Sequence, residues 1–419
     1  MLEAQYLVET PLDPARVAEI MAGEQSCGTF VRVEGESDDL RARAAARVLS
    51  VEELAPAERP SLSSSYLERK GFGAPWRRAR VRVAFPEANF GVNLPTMAAT
   101  VAGNLFDLGE VTGLRLERLS VPAHIRADYP RPLVGVAGTR ASTGVQDRPL
   151  FGTIIKPNVG LRTPELVALV ERLCTAGLDF IKDDETCANP RHAPLAERVP
   201  AIMEVIRRHR DRTGRQVMMA FNVTDETDAM RRHADLIEAE GGTCAMVSLN
   251  WVGLASVESL RRATRLAIHG HRNGFGGFGR HPAIGMAFPA YQALYRLAGV
   301  DHMHVHGIDG KFSDDPSEVA EGARLCLAPL APGGDDPVMP AFSSGQWAGT
   351  LAATHAAARS EDFLFMAGGG ILAHPSGAEA GVRALLDAWE AVRDGVALEQ
   401  AAKASRPLAE AIDFFGART

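Results

Sequence analysis

The 419-residue sequence contains no run of 18 apolar residues, so no helix is predicted to span a membrane. Its opening, MLEAQYLVETPLD, lacks a basic stretch followed by an apolar one, and no secretory signal is expected. Cysteine is sparse. Cys27, Cys174, Cys187, Cys244 and Cys326 are odd in number and fit no zinc spacing, which points to reduced thiols and a cytoplasmic location. A basic excess is missing as well: 45 Lys+Arg stand against 52 Asp+Glu, a formal charge of −7. That balance argues against nucleic acid or an anionic membrane as a partner. No sequence repeat of about 20–50 residues is present.

Lysine is the scarcest charged residue, with only Lys70, Lys156, Lys182, Lys311 and Lys403 in the chain. Arginine stays protonated, whereas a lysine amine can lose its proton and act as base or nucleophile. A lysine kept in an arginine-rich chain is therefore a candidate for chemistry; Lys70 and Lys403 are read as chance placements. The rest of the composition, 46% hydrophobic and 23% charged, is that of an ordinary globular protein of two or three domains.

Residues 1–125 mix both periodicities. QYLVET, GTFVRVEG, RVRVAFP and LRLERLSVP read as strands, and PARVAEIMAGE and LPTMAATVAGNLF as helices, which predicts an α+β domain of ferredoxin-like type. Residues 126–149 carry Pro, Gly and Thr with little periodicity and read as a linker. From residue 150 to 419 strand and helix patterns alternate. LFGTIIKP, DFIKDDE, VMMAFNV, CAMVSLN, LAIHGHR, HMHVHG, VMPAFSSG and FLFMAGGGI predict an eight-stranded (β/α)₈ barrel. AGVRALLDAWEAVRDG and LEQAAKASRPLAEAI are predicted as final helices outside it.

Polar residues gather at the C-terminal ends of these strands, where barrel enzymes build their sites. In strand order they are Lys156; Lys182, Asp183, Asp184 and Glu185; Asn222; Asn250; His271 and Arg272; His304 and His306, with Lys311 in the next loop; Ser343 and Ser344; and Gly368, Gly369 and Gly370. Lys182 beside Asp184 and Glu185 leaves two readings open, a Lys–Asp ion pair or a Mg²⁺ site in which the lysine charge is reversed by carbamylation. AGGGI and FSSGQ suit close backbone approach to a phosphate, or tight turns at the barrel edge. Gly274, Gly276 and Gly279 spell G-x-G-x-x-G, but Arg280, His281 and Pro282 follow where a dinucleotide site needs a helix. The stretch reads as a mobile or closely packed loop.

The wording of several segments resembles the RuBisCO large chain. GTIIKPNVGL resembles GTIIKPK-x-GL, and GLDFIKDDE resembles the GLDF-x-KDDE segment. HGHR, DHMHVHGIDGK, SSG after PAF, and AGGGILAHP follow in the same order, while EQSCGTF and VAGNLF resemble N-terminal segments of that family. The resemblance covers nearly the whole chain. It implies a carbamylated Lys182 holding one Mg²⁺ with Asp184 and Glu185, a proton-transfer role for Lys156, a His271 beside the reacting carbons and a mobile-loop Lys311. It implies phosphate contacts from Arg272, His304 and Ser343 at one end. Thr29, Gly345, Gly368 and Gly369 would make those at the other, with Ser344 and Asn158 lining the substrate. Glu24 and Asn104 would reach a neighbouring subunit's site in a homodimer.

Departures from the family wording redirect the expected activity. Asn158 stands where carboxylases have a second lysine, Phe30 replaces a tryptophan, Phe275 a histidine, and Ser344 a glycine. The expectation is a RuBisCO-like (form IV) enzyme, a lyase, isomerase or hydrolase that enolises a phosphorylated keto sugar or sugar acid. KPNVGL and HVHG resemble relatives acting on 3-oxo-isoapionate 4-phosphate. A methylthioribulose-phosphate isomerase or enolase, a true ribulose-bisphosphate carboxylase and a non-catalytic sugar-phosphate binder are the alternatives.

Overall fold

Regular alternation of apolar and polar residues builds β1 (Leu2–Thr10), in which Leu2, Ala4, Tyr6 and Val8 are buried. In the computed structural model, which describes residues 1–28 and 33–417, this strand opens the first of two units. α1 (Pro14–Glu24) starts where Asp13 accepts from the Ala15 amide and Pro14 fixes the first turn, and it buries Val17, Ala18 and Met21. β2 (Arg47–Ala57) and β3 (Trp76–Phe85) follow, then α2 (Leu94–Ala102), capped by Asn93, and β4 (Gly113–Ser120). β2 has no counterpart among the predicted strands. Most of its side chains are exposed, so the strand is held by its pairing with β3, which leaves no apolar alternation to read. The predicted strand GTFVRVEG falls largely on residues outside the described ones; Gly28 and Val33–Gly35 are not in a strand.

The second unit is the barrel. β5 (Leu150–Ile154), β6 (Phe180–Lys182), β7 (Met218–Asn222), β8 (Cys244–Ser248) and β9 (Ala267–His271) run in order. The chain then forms β10 (Ile284–Met286) before β11 (His302–His304), β12 (Met339–Phe342) and β13 (Leu364–Met366). β5–β9 and β11–β13 close a parallel barrel of eight strands, matching the predicted order. The first residues of most of these strands, Leu150, Phe180, Met218, Cys244, Ala267, Met339 and Leu364, share one buried apolar cluster. Apolar packing thus fills the N-terminal end of the barrel and leaves the C-terminal end for polar groups.

β10 belongs to the first unit. It pairs parallel with β4 in a sheet of order β10-β4-β1-β3-β2, whose other pairings are antiparallel. With α1 and α2, the four-strand part has the predicted ferredoxin-like order. The G-x-G-x-x-G stretch lies just before β10 and does make a helical turn, Gly276–Gly279, where none was expected. It is a close-packing device: a Cβ on Gly279 would come within 2.4 Å of the Phe275 ring and 2.7 Å of the Met286 carbonyl.

The predicted linker contains α3 (Gly135–Thr143). GVAGTRAST has weak helix formers and no apolar period, so nothing local announces a helix. Tertiary contacts decide it. Val136 joins the cluster at the N-terminal end of the barrel, and Asp301 Oδ1 accepts from Val134 N at 2.7 Å and Gly135 N at 2.9 Å. The other oxygen of Asp301 accepts from Arg261 Nη1 and Ile268 N, each at 2.8 Å. The predicted last helix is two, Leu398–Ala402 and Arg406–Gly416, because Ser405 caps a new start ahead of Pro407.

Candidate active site

Each strand of the barrel delivers its functional side chain at the point where apolar packing stops. Lys182 is the last residue of β6 and is fully buried, its Nζ donating to the Asp183 carbonyl at 2.9 Å and lying 3.4 Å from Met246 Sδ. Glu185 Oε2 stands 4.0 Å from that amine. Burial pulls the amine down, the carboxylates of Glu185, Asp184 and Asp183 pull it back up, and the result is a pKa of about 8. A buried lysine poised this close to neutrality keeps a reactive, unprotonated fraction.

The two aspartates of KDDE have separate tasks. Asp183 Oδ2 accepts from Arg198 Nη2 at 2.7 Å and from Asn222 N at 2.9 Å, with Arg198 fully buried. This is an internal brace. Asp184 turns the other way: its Oδ2 accepts from Lys156 Nζ at 2.8 Å and its Oδ1 from Thr186 Oγ1 at 2.7 Å. Burial raises the Asp184 pKa, but these hydrogen bonds outweigh it and hold the carboxylate below its usual range. Lys156 also donates to Asn158 Oδ1 at 2.6 Å, so the residue that replaces a lysine of carboxylases is an acceptor for the retained one.

Asn222 extends the brace, its Nδ2 donating to the Asp184 and Glu185 carbonyls at 3.0 and 3.3 Å. Asn250 lies in the first turn after β8, where its Nδ2 donates to the Asn273 carbonyl at 2.8 Å. His271 ends β9. Its Nδ1 lies 3.2 Å from both the backbone N and the side-chain Oδ1 of Asn273, and its Nε2 faces Glu185 Oε2 at 3.5 Å. Burial, reinforced by the Lys182 charge, drives its pKa far below the ordinary histidine value, so the ring is neutral.

Arg272, His304 and Ser343 gather at the mouth as the sequence predicts, but each is already engaged. Arg272 Nη2 donates to Asp314 Oδ1 at 2.8 Å, and Asp314 Oδ2 lies 2.6 Å from His306 Nδ1. His304 Nε2 is 2.7 Å from His269 Nε2, and its Nδ1 is 3.0 Å from Ser343 Oγ. Beneath them His269 Nδ1 meets His302 Nδ1 at 3.2 Å, and His302 Nε2 meets Thr139 Oγ1 at 2.8 Å. This column through the barrel interior was not anticipated. The signal was present as histidines at i, i+2 in IHGH and HMHVHG, the spacing that puts side chains on one face of a strand. Asp314 carried no signal beyond a polar loop.

Ser344 has φ 75°, and Gly345, with φ 81°, sits against the Lys311 amide. Gln346 Nε2 donates to the Ile308 carbonyl at 3.1 Å and Lys311 N to the Ser344 carbonyl at 3.4 Å, which ties the Lys311 loop to the end of β12. The Lys311 side chain is exposed, its Nζ 5.3 Å above the Phe312 ring. Gly368 and Gly369 open the turn after β13, and a Cβ on Gly369 would meet nothing within 4 Å. Glu24 at the end of α1 and Asn104 after α2 are exposed residues of the first unit, and Thr29 lies outside the described residues.

No group of three His, Cys, Asp or Glu side chains poised to hold a metal occurs among the described residues. A divalent ion at Asp184 and Glu185 would need its third oxygen from another source. Lys182 fits that need only after losing its charge, and its lowered pKa is the property that permits it. No helix among the described residues is long and apolar enough to cross a membrane.

Comparison with known proteins agrees with this architecture. The profile of the ribulose bisphosphate carboxylase large chain N-terminal domain matches residues 5–125, and that of its catalytic domain matches residues 135–329 and 332–415. The crystal structure of a rubisco-like protein from Burkholderia fungorum superposes with a TM-score of 0.94 at 60% identity, covering 99% of both chains. A 3-oxo-isoapionate-4-phosphate transcarboxylase/hydrolase of Xanthobacter autotrophicus is 45% identical over 98% of each chain. A 3-oxo-isoapionate-4-phosphate decarboxylase of Rhizobium rhizogenes is 40% identical over 98% of this chain and 97% of its own. The chain belongs to the ribulose bisphosphate carboxylase large-chain family.

Proposed function

We propose that this protein is a Mg²⁺-dependent enzyme that enolises a phosphorylated keto sugar acid and breaks a carbon–carbon bond in it, with 3-oxo-isoapionate 4-phosphate as the substrate. The observation that carries the reading is the buried Lys182 amine, at a pKa of about 8, beside Glu185 and Asp184. Carbamylated by CO₂, Lys182 would hold the metal with Asp184 and Glu185. When bound, the ion supplies Lewis acidity toward the substrate carbonyl.

The chain's own groups account for the remaining chemistry. Lys156, linked to Asp184 and Asn158, exchanges the proton alpha to the carbonyl. The neutral His271 ring, whose Nδ1 lies 3.2 Å from both the backbone N and the side-chain Oδ1 of Asn273, would hydrogen-bond the oxygen that gains charge. In a 3-oxo acid the carboxylate lies beta to a ketone. Loss of CO₂ leaves the bonding electron pair on the enolate, which then takes up a proton. In the hydrolytic alternative water adds to the ketone and a different bond breaks, the one between the ketone carbon and the alpha carbon: the ketone carbon becomes a carboxylate, and the alpha carbon keeps the electron pair and takes up a proton. Gly345, Gly368 and Gly369 would take the phosphate, the remote group that anchors and orients the reacting end. Thr29 would join those phosphate contacts, and a homodimer in which Glu24 and Asn104 reach the neighbouring site completes the proposal; the names of the two relatives support the substrate and the family resemblance the dimer.

The test supplies the protein with Mg²⁺, bicarbonate and 3-oxo-isoapionate 4-phosphate and follows CO₂ release and the organic product. A parallel reaction uses ribulose 1,5-bisphosphate and labelled CO₂. The expected result is cleavage in the first and no acid-stable label in the second. An inert first reaction together with a labelled second one would reverse the assignment.

A further inference from the structure

Arg272 is the one cation among the three residues that the family resemblance gives to a second phosphate. Its side chain is 2% exposed, and Nη2 donates to Asp314 Oδ1 at 2.8 Å and to the Val305 carbonyl at 3.3 Å. The second oxygen of the same carboxylate lies 2.6 Å from His306 Nδ1, and the Phe312 ring packs against His306 at a tilt of 49° with centroids 4.7 Å apart. His304 offers no spare nitrogen, since its two are engaged with His269 and Ser343. Asp314 thus pairs the Arg272 guanidinium through one oxygen and holds His306 through the other. A phosphate dianion arriving here would find the positive charge already neutralised and a like charge beside it.

We propose that Asp314 is a specificity-determining residue: its carboxylate occupies the Arg272 end of the barrel mouth in place of a phosphate, so the site accepts ligands with one phosphoryl group and discriminates against bisphosphates. The inference rests on the barrel mouth being the ligand site, as in the proposed function, but not on which bond is broken there. Asp314 acts by charge and by position, one oxygen on each of two basic side chains. The asymmetry gives the mouth a polarity. The glycines Gly345, Gly368 and Gly369 follow β12 and β13, whereas the trio of Arg272, Asp314 and His306 follows β9 and β11. A hydroxyl or a single carboxylate can approach the second side, whereas a second phosphate must first displace Asp314.

Calorimetric titration of the full-length protein, with Mg²⁺ and bicarbonate present, compares ribulose 5-phosphate with ribulose 1,5-bisphosphate as probes. The wild type is expected to bind the bisphosphate no more than about threefold tighter than the monophosphate. Asp314→Asn should tighten bisphosphate binding by about tenfold or more and change monophosphate binding less than about twofold. Asp314→Ser, which removes the carboxylate with a different shape, serves as the second variant, and thermal unfolding establishes that both fold. A wild type that already prefers the bisphosphate by more than about tenfold would overturn the proposal, because the carboxylate would then merely swing aside. So would an unchanged ratio in both folded variants, or no binding of either probe. Failure of the proposed function has its own signature: 3-oxo-isoapionate 4-phosphate is left intact while the ratio still shifts.

Discussion

His269 and His304 meet nitrogen to nitrogen, Nε2 to Nε2 at 2.7 Å, on neighbouring strands inside the barrel. Only one of the two can carry the shared proton if both rings are neutral. Their neighbours decide which. Thr139 donates its hydroxyl to the Gly135 carbonyl at 2.5 Å, so it accepts from His302 Nε2–H. His302 Nδ1 then accepts from His269 Nδ1–H, His269 Nε2 accepts from His304 Nε2–H, and His304 Nδ1 accepts from the Ser343 hydroxyl. The column therefore fixes the direction of the Ser343 proton at the barrel mouth from a threonine in α3.

That arrangement predicts an acid-sensitive fold. Burial lowers all three pKa values, that of His302 to about 3. In the unfolded chain each ring takes up a proton near pH 6.5 that the folded state refuses. Stability contributed by the neutral rings is thus present above about pH 6.5 and falls as pH drops below it, down to the folded pKa. Three such rings give a loss of up to about 4 kcal/mol between pH 6 and pH 5. Urea unfolding at those two pH values, with proton uptake counted, measures it. A difference under about 1 kcal/mol would show that the rings are not held neutral together.

Neighbouring acids in KDDE should respond oppositely to the same change. Asp183→Asn leaves the buried Arg198 guanidinium without its counter-charge and should cost about 3–5 kcal/mol in chemical denaturation. Asp184→Asn should cost only about 1 kcal/mol or less, because its partner Lys156 is partly exposed. Its effect belongs in activity, with the Mg²⁺ requirement raised at least about tenfold. If the two variants exchanged these signatures, the roles given to them would be wrong.

Lys156 offers a test of proton transfer apart from binding. Lys156→Met should slow solvent deuterium exchange into the substrate by about 10²-fold or more while unfolding free energy stays within about 1 kcal/mol. Lys156→Arg keeps the charge beside Asp184 but cannot act as a base, so it should restore little of the exchange. Exchange at the wild-type rate in the arginine variant would move the base elsewhere, with Lys182 the next candidate.

The barrel was legible because buried parallel strands announce themselves as short apolar runs that end abruptly in polar residues, as TIIK, FIKDDE and FMAGGG do. Lys182, Asp184 and Glu185 could be singled out for the same reason. What escaped is whatever depends on a distant partner. β2 is an edge strand without a buried face, and α3 exists because Asp301 caps it and Val136 fills a hole in another element's packing. Asp314 looked like one more loop acid, and only the fold brings it to Arg272, forty-two positions earlier in the chain. The difference between Asp183 and Asp184 is also invisible in the letters: adjacent residues leaving a strand point to opposite sides, one to Arg198 on the helix that follows and the other to Lys156.

The parallel pairing of β10 with β4 has a bearing on how the protein is made. Arg115 and Ile284, which meet across that pairing, lie 169 residues apart. During synthesis β4 leaves the ribosome as the open margin of its sheet, and the strand that covers it is still untranslated until the chain has passed the fifth barrel strand. For that interval unpaired β4 backbone is available to other nascent chains. Three charged side chains on that strand, Arg115, Glu117 and Arg118, make it a poor template for a second copy before Ile284–Met286 arrives.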